Sequence, residues 1–307
     1  MTLVPKIISI GNTCLDIILR YTNRLPRWGT ELFLNETEWR LGGQAANFAV
    51  ACCALGYPSQ LVSNVGSDNA GKRLRTELKS VKLLNTRFLQ ITEGETGFAV
   101  SLLRSDGERL FLTFLGHQSL FSTKPYMKRI IDNLDARDMV HVSGYYMLPR
   151  LKAQLPGVLR SLRETGARTS FDPGWPPFGF SKPERKNLNA ILPWFDFFEP
   201  NETELLAMTQ KTRITPAITA IRRQFNGIIA LKRGKKGCTV LSGEKRLTVK
   251  ALHVHALDTT GAGDVFDAGF LTGILRNDPL DVCASRGNRA AAIFISKGMK
   301  KVRNDLG

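Results

Sequence analysis

An aspartate at the start of a helix, directly after a glycine-rich turn, can take a proton from a hydroxyl while the turn's amides hold an anion. Residues Asp258-Thr259-Thr260-Gly261-Ala262-Gly263-Asp264 have that form and run into an amphipathic stretch that ends at Arg276. The glycines permit the tight turn, and the amides of Gly261, Ala262 and Gly263 fall where a helix leaves its first N–H groups unpaired. Such a site suits the charge that develops on a transferred phosphoryl group. Asp264, in the first turn, is placed to accept the proton of an attacking hydroxyl. Thr260 and Asp264 also admit a plain structural role, because both residue types favour helix starts. This string alone does not choose between the two.

The elements that must position the turn show as an alternation along the chain. Apolar strand-like runs at Lys6–Ile10, Gln60–Asn64, Met139–Ser143, Arg168–Asp172, Phe195–Phe198 and Ile228–Lys232 are separated by helical patterns. Those patterns cover Ala45–Leu55, Gly71–Leu83, Leu148–Glu164, Thr215–Phe225, Ala262–Arg276 and Leu280–Ser296. Alternation of this kind predicts a parallel sheet flanked by helices. It breaks twice. Residues 12–40 carry Arg20, Tyr21, Trp28, Phe33 and Trp39 at strand-like spacing, and Thr96–Leu103 and Arg109–Leu115 flank Ser105-Asp106-Gly107-Glu108. Asp-Gly between two such runs signals a hairpin. Together the segments 12–40 and 96–118 predict a small β-sheet lid on a single α/β domain spanning 1–307.

The 307 residues, 43% hydrophobic and 23% charged, match an ordinary globular chain. No apolar run approaches the roughly 18–20 residues that span a membrane. The opening MTLVPKIISIG has no cationic leader or small-residue cleavage site and reads as a first buried strand, so a cytoplasmic protein is expected. Cys14, Cys52, Cys53, Cys238 and Cys283 form no CxxC and are odd in number. That pattern fits buried thiols in a reducing compartment rather than disulfides or zinc. The net charge is +16. Part of it lies at helical spacing on Lys72, Arg75, Lys79 and Lys82, opposite Leu74, Leu78 and Val81, which is the solvated side of an amphipathic helix. A field attracting anionic nucleotide, or nucleic acid, is the other reading of that charge.

The Asp258–Asp264 segment resembles the C-terminal signature of the ribokinase or PfkB family of carbohydrate kinases. Gly11-Asn12-Thr13-Cys14-Leu15-Asp16, Gly42-Gly43-Gln44-Ala45-Ala46-Asn47, Asn201-Glu202-Thr203-Glu204 and Lys232-Arg233-Gly234-Lys235-Lys236-Gly237 resemble further family elements, in the family's order. The resemblance runs from Ile7 to about Lys297. It implies a Rossmann-like, three-layer ribokinase-like fold with a lid that excludes water, and an ATP-dependent kinase with Asp264 as base. Asp16 and Asn47 would hold substrate hydroxyls, and Gly42 and Gly43 would let the sugar approach the backbone. Asn201, Lys232, Gly234, Gly237 and Asn288 would serve ATP, with Glu204 near magnesium and Asp258 and Thr260 near a potassium ion. On the residues alone, Asn201 and Glu204 equally form a capping box, and the Lys232 loop reads as solvated surface.

The match has departures. Gly116-His117-Gln118 stands where many relatives carry Gly-Ala-Asn, and Asp172-Pro173-Gly174 lacks the Asn and Arg that commonly follow. No glutamate of the ribose-specific kind follows Val142-Ser143-Gly144. A hexose, ketose or sugar acid is therefore the expected substrate. The rivals are a nucleoside kinase of the same family and a non-catalytic sugar-phosphate sensor or nucleic-acid-binding relative. A homodimer through the lid edge is a further expectation.

Overall fold

A computed structural model of the chain describes residues 5–20, 27–34, 36–104, 109–255, 258–299 and 301–302. The N-terminal part holds β1 (Ile7–Gly11), β2 (Cys14–Arg20), β3 (Glu36–Gly42), α1 (Gln44–Ala54), β4 (Ser59–Gly66), α2 (Asn69–Ser80), β5 (Leu84–Thr92), β6 (Phe98–Leu103) and β7 (Arg109–Phe114). The middle holds α3 (Met127–Ile131), β8 (Met139–Ser143), α4 (Pro149–Thr165), β9 (Arg168–Phe171), α5 (Lys182–Ile191), β10 (Phe197–Phe198), α6 (Glu202–Thr209) and α7 (Ile214–Arg222). The C-terminal part holds β11 (Ile228–Lys232), β12 (Cys238–Ser242), β13 (Lys245–Val249), α8 (Ala262–Leu275) and α9 (Leu280–Lys297).

Nine strands form one sheet in the order β13-β12-β11-β10-β9-β8-β1-β4-β5. The pairs from β11 to β5 are parallel, and β12 and β13 add an antiparallel edge. Successive side chains of a strand point to opposite faces, so a sheet covered on both sides needs unbroken apolar strands. β1 shows this: Ile8 and Ile10 join a core with Leu151, Leu155 and Leu159 of α4, while Ile7 packs on the other face with Phe48 of α1 and Phe270 of α8.

α8 is buried at every position from Asp264 to Leu275. A helix enclosed on all sides can carry glycine where its neighbours press close. A Cβ on Gly269 would lie 2.9 Å from the Arg286 carbonyl oxygen of α9, and one on Gly273 would lie 2.9 Å from Cys283 Sγ. The two helices therefore meet backbone to backbone.

A second sheet of four strands, ordered β3-β2-β6-β7, stands apart from the first. The hairpin predicted at Ser105-Asp106-Gly107-Glu108 lies outside the described residues, as does Tyr21. Trp28, Phe33 and Trp39 are exposed, as are Leu110, Phe111 and Leu112 of the edge strand β7. The charged side of α2 faces solvent, with Leu74 and Leu78 buried beneath it.

Several boundaries differ from the sequence reading for local reasons. α2 begins at Asn69 because the Asp68 side chain accepts the Gly71 N–H at 2.9 Å, and it ends at Ser80 rather than Leu83, whose φ is +67°. The antiparallel edge β12–β13, the outer strand β5 and the helix α5 were not anticipated. β5 (LNTRFLQIT) mixes polar and apolar residues as an edge strand does, so it lacks the continuous apolar run of its inner neighbours. No helix among the described residues is long and apolar enough to cross a membrane.

Candidate active site

In a parallel sheet the open ends of the strands and the helix starts beyond them meet on one rim, where ligands bind. Here Asn12 follows β1, Asp172 follows β9, Asn201 follows β10 and Lys232 ends β11. The turn into α8 reaches the same rim. Gly261 caps the helix at φ +83°, a left-handed conformation that glycine adopts without strain. Ala262 N–H donates to the Thr259 carbonyl oxygen at 3.2 Å, so one of the three amides expected to face an anion already has an acceptor.

Asp264 is 6% exposed, and its Oδ2 accepts a hydrogen bond from Asn47 Nδ2 at 2.9 Å. Burial, reinforced by the charge of Asp172, pushes its pKa up to about 8, against the opposing pull of the Asn47 bond and Lys232. Asp16 lies in β2, 8% exposed, with its pKa raised to about 6 by burial and held down by Arg40. Arg40 of β3 stands directly opposite Asp16 in the strand pair.

The glycine pair has structural duties of its own. A Cβ on Gly42 would fall 2.2 Å from Asp16 Oδ1, and one on Gly43, at φ +94°, would fall 2.6 Å from the Asn12 carbonyl oxygen. Gly42 thus makes room for the Asp16 carboxylate, and Gly43 lets α1 start against the end of β1. Asn12 completes this corner: its Oδ1 accepts from Gln44 N–H at 2.9 Å, and its Nδ2 donates to Gln118 Oε1 at 3.1 Å. His117 is 1% exposed; its Nδ1 accepts from Gly97 N–H at 2.8 Å, and its Nε2 lies 3.1 Å from the Thr13 carbonyl oxygen. Gly116-His117-Gln118 therefore ties β1 to the root of β6.

Asn201 and Glu204 form the capping box. Asn201 Oδ1 accepts from Glu204 N–H at 2.9 Å, and Glu204 Oε2 accepts from Asn201 N–H at 2.8 Å. Glu204 is 6% exposed and burial raises its pKa to about 7. The Lys232 loop is less open than its composition predicted. Lys232 Nζ is 2.8 Å from Asp172 Oδ2 and 2.8 Å from Asp267 Oδ2, with the side chain only 11% exposed. It is not a solvated surface lysine, and both contacts are carboxylates. Arg233 and Lys236 pair with Glu202 at 2.9 and 3.4 Å.

Gly237, at φ +86°, approaches so closely that a Cβ would sit 2.0 Å from the Val249 carbonyl oxygen. Asn288 Nδ2 donates to the carbonyl oxygens of Val249 and Lys250, each at 3.1 Å. Both residues thus pin the chain leaving β13. Beside that segment a cavity of about 370 Å³ is lined by Leu252, Val254, Arg289, Ile293, Ser296 and Lys297, among others. Sequence reasoning reached only its neighbour Asn288. The spacing 289, 293, 296 and 297 on one face of α9 was the signal that could have found it.

Asp258 was expected near potassium. Its Oδ1 accepts from the Thr260 N–H and hydroxyl, each at 2.9 Å, and its Oδ2 accepts from Arg40 at 2.8 Å. A guanidinium already neutralises this carboxylate, which lies below the ordinary range despite burial because of those bonds and charges. Arg40 and Asp267 are the residues of the site that the motifs did not reveal. Among the described residues no three acidic, histidine or cysteine side chains converge as a metal cluster.

A helix-start turn beside a buried carboxylate, on the open rim of a parallel sheet, is suited to phosphoryl transfer. The chain belongs to the pfkB family of carbohydrate kinases, whose family model matches residues 4–301, and it is an ATP-dependent sugar or nucleoside kinase. It is 30% identical over 246 residues to an uncharacterized sugar kinase of Archaeoglobus fulgidus, covering 79% of this chain and 93% of that one. It is 28% identical to an ATP-dependent ribose-1-phosphate kinase of Halopiger xanaduensis, covering 94% and 91%. Its fold is similar to that of Arabidopsis thaliana ribokinase complexed with ribose and ATP (TM-score 0.78, 23% identity, covering 98% and 97%). It is also similar to that of adenosine kinase from Sinorhizobium meliloti (TM-score 0.82, 22% identity, covering 99% and 100%).

Proposed function

We propose that the chain transfers the γ-phosphoryl group of ATP to a hydroxyl of a small sugar, a hexose, ketose or sugar acid, with Asp264 as general base. The observation that carries this reading is the Asn47–Asp264 hydrogen bond, which joins the N-terminal motif to the glycine-turn motif at one point. Asp264 takes the proton as the acceptor oxygen bonds to phosphorus, and the bond from that phosphorus to the ADP oxygen breaks. The Gly261 and Gly263 amides then face the charge on the moving group. Asp16 and Asn47 hold the acceptor's hydroxyls, both being groups that make directional bonds to polyols.

The donor side rests on the loop Gly234–Gly237 and on the cavity beside α9, whose apolar wall and two basic residues suit a nucleotide base and its polar edge. Magnesium would be held mainly by the phosphates of ATP, with Glu204 reaching it through water, and would neutralise their charge. Potassium has less support, because Arg40 already balances Asp258.

The test is ATP consumption with magnesium, with and without potassium, against sugars, sugar acids, sugar phosphates and nucleosides, alongside Asp264→Asn. Turnover of one acceptor that is lost in the variant supports the reading and names the substrate. Turnover of nucleosides alone replaces the sugar with a base-bearing acceptor. ATP binding without turnover on the whole panel favours a sensor and removes Asp264 from catalysis.

A further inference from the structure

Directly beneath the α8 turn lies a charged cluster that the proposed reaction does not use. Lys232 Nζ bridges Asp172 and Asp267, at 2.8 Å from an oxygen of each, and a second Asp267 oxygen lies at 3.1 Å. Asp267 is one helical turn beyond Asp264 and fully buried. A Cβ built on Gly263 would lie 3.5 Å from Lys232 Nζ, with the lysine Cδ and Cε next nearest at 3.9 Å. The ammonium therefore sits under the very peptide whose amide faces the incoming phosphate. The backbone is held there too: Lys232 N–H donates to the Pro200 carbonyl oxygen at 2.9 Å, and Lys232 pairs with Asn201 across a parallel bridge.

We propose that Lys232 is a positioning residue of this kinase: clamped between Asp172 and Asp267, its ammonium anchors the N-terminal half of α8 and places positive charge under the Gly261–Gly263 turn without touching substrate. The proposal rests on the kinase reading above. A buried ammonium would be costly alone, and two carboxylates would be costlier. Together they make a rigid cross-link from β11 and the end of β9 to α8. The loop after Asp172 lacks the Asn and Arg that the family pattern led one to expect there, and Asp172 turns inward to this lysine instead.

The charged and titratable groups facing Lys232 come from the elements around it: Asp172 after β9, Asp264 and Asp267 on α8, Glu204 on α6, Glu199 before it and His141 on β8. His141 is neutral, pushed down to about 3 by burial, and Glu199 is pushed up to about 8 by burial, with neither carboxylate oxygen hydrogen-bonded. Burial alone would lower Lys232, yet the Asp172 and Asp267 carboxylates hold it well above the usual lysine range. Lys232 stays a cation throughout the working pH range, and it is among the groups that pull Asp264 down.

The test compares kcat, both KM values and the pH profile of kcat/KM for the full chain, Lys232→Met and Lys232→Arg, with folding checked by circular dichroism. For Lys232→Met the expected result is a kcat lower by about tenfold or more, with the acceptor KM changed by less than about twofold. Its acid limb should move up by about half a pH unit or more, because a positive charge near Asp264 has gone. Lys232→Arg keeps the charge, so its limb should stay put while kcat still falls, the planar head being unable to fill the space of an ammonium between two carboxylates. A well-folded Lys232→Met with unchanged kcat and limb overturns the proposal. Should Lys232→Met not fold, Lys232→Met/Asp267→Leu removes cation and partner together and is read by the same limb shift. An acid limb that moves as far with Arg as with Met also overturns it. An unmodified protein that turns over no acceptor would sink the kinase reading instead, a result distinct from all of these.

Discussion

Asn47 on α1 donates to Asp264 on α8 at 2.9 Å across 217 residues of sequence, so the amide assigned to the acceptor and the carboxylate assigned to its proton share one hydrogen bond. Asn47 therefore tunes Asp264 as well as facing substrate. Replacing Asn47 by Ala removes a bond that favours the ionised carboxylate. The expected result is an acid limb of kcat/KM displaced to higher pH, with an acceptor KM raised about tenfold. Initial rates across a pH series measure both.

Asp264→Asn keeps the shape of the site and removes the base. kcat should fall by roughly a hundred- to ten-thousandfold while ATP binding, read by calorimetry, changes little. Equal loss of ATP affinity would mean that the residue shapes the nucleotide site rather than the proton transfer.

Activity and stability should respond to pH in opposite directions. Asp264, with its pKa near 8, must be ionised to act, so kcat/KM of the free enzyme should rise as pH climbs toward about 8. Asp264, Glu199, Glu204 and Asp16 have folded values of about 8, 8, 7 and 6 against ordinary values of 3.8, 4.5, 4.5 and 3.8. Each raised value adds stability that is complete below the unfolded pKa and is lost as pH rises through the folded one. Asp68 and Asp258 are lowered, as is the buried His141 at about 3, and these act in the other sense, losing their contribution in acid. The Tm of the ligand-free protein should therefore peak at about pH 4 and fall toward pH 8, which a calorimetric pH series checks. A Tm that rises steadily through that interval would contradict the burial of these carboxylates.

Gly42→Ala is expected to raise the acceptor KM by about tenfold or more while leaving the ATP KM within about twofold, because the added methyl displaces the Asp16 carboxylate. Equal changes in both KM values would place the damage in the fold rather than at the acceptor.

Asn201→Ala removes one half of the capping box and frees the buried Glu204 carboxylate from its reciprocal geometry. A loss of about 1 kcal/mol is expected in urea unfolding. Added magnesium-ATP should restore part of it if Glu204 serves the nucleotide.

The inner strands of the large sheet were readable because burial on both faces demands mainly apolar, largely buried runs such as Met139–Ser143 and Ile228–Lys232. β13, with exposed Lys245 and Arg246, carries no such demand and passed as loop. At the site, Gly261 and Gly43 were legible because positive φ leaves little alternative to glycine. Lys232 was not, since a basic loop composition looks alike whether the lysine faces water or two buried carboxylates. Arg40 was hidden for a related reason: its partner Asp258 lies 218 positions away, and only the packing of β3 against the α8 turn brings them together.

The candidate base and anion turn belong to a helix enclosed on every side by the large sheet's core, whereas Asp16 and Arg40 stand on strands of the small sheet. Mutational drift should therefore fall unevenly on the two halves. A change in α8 is transmitted to α9 through contacts with no spare volume, so few substitutions survive there. The small sheet exposes much of its surface and can exchange residues around Asp16 without disturbing the machinery beneath. New acceptors are accordingly to be sought by laboratory evolution in β2, β3, β6 and β7, with the helix that holds the base left untouched.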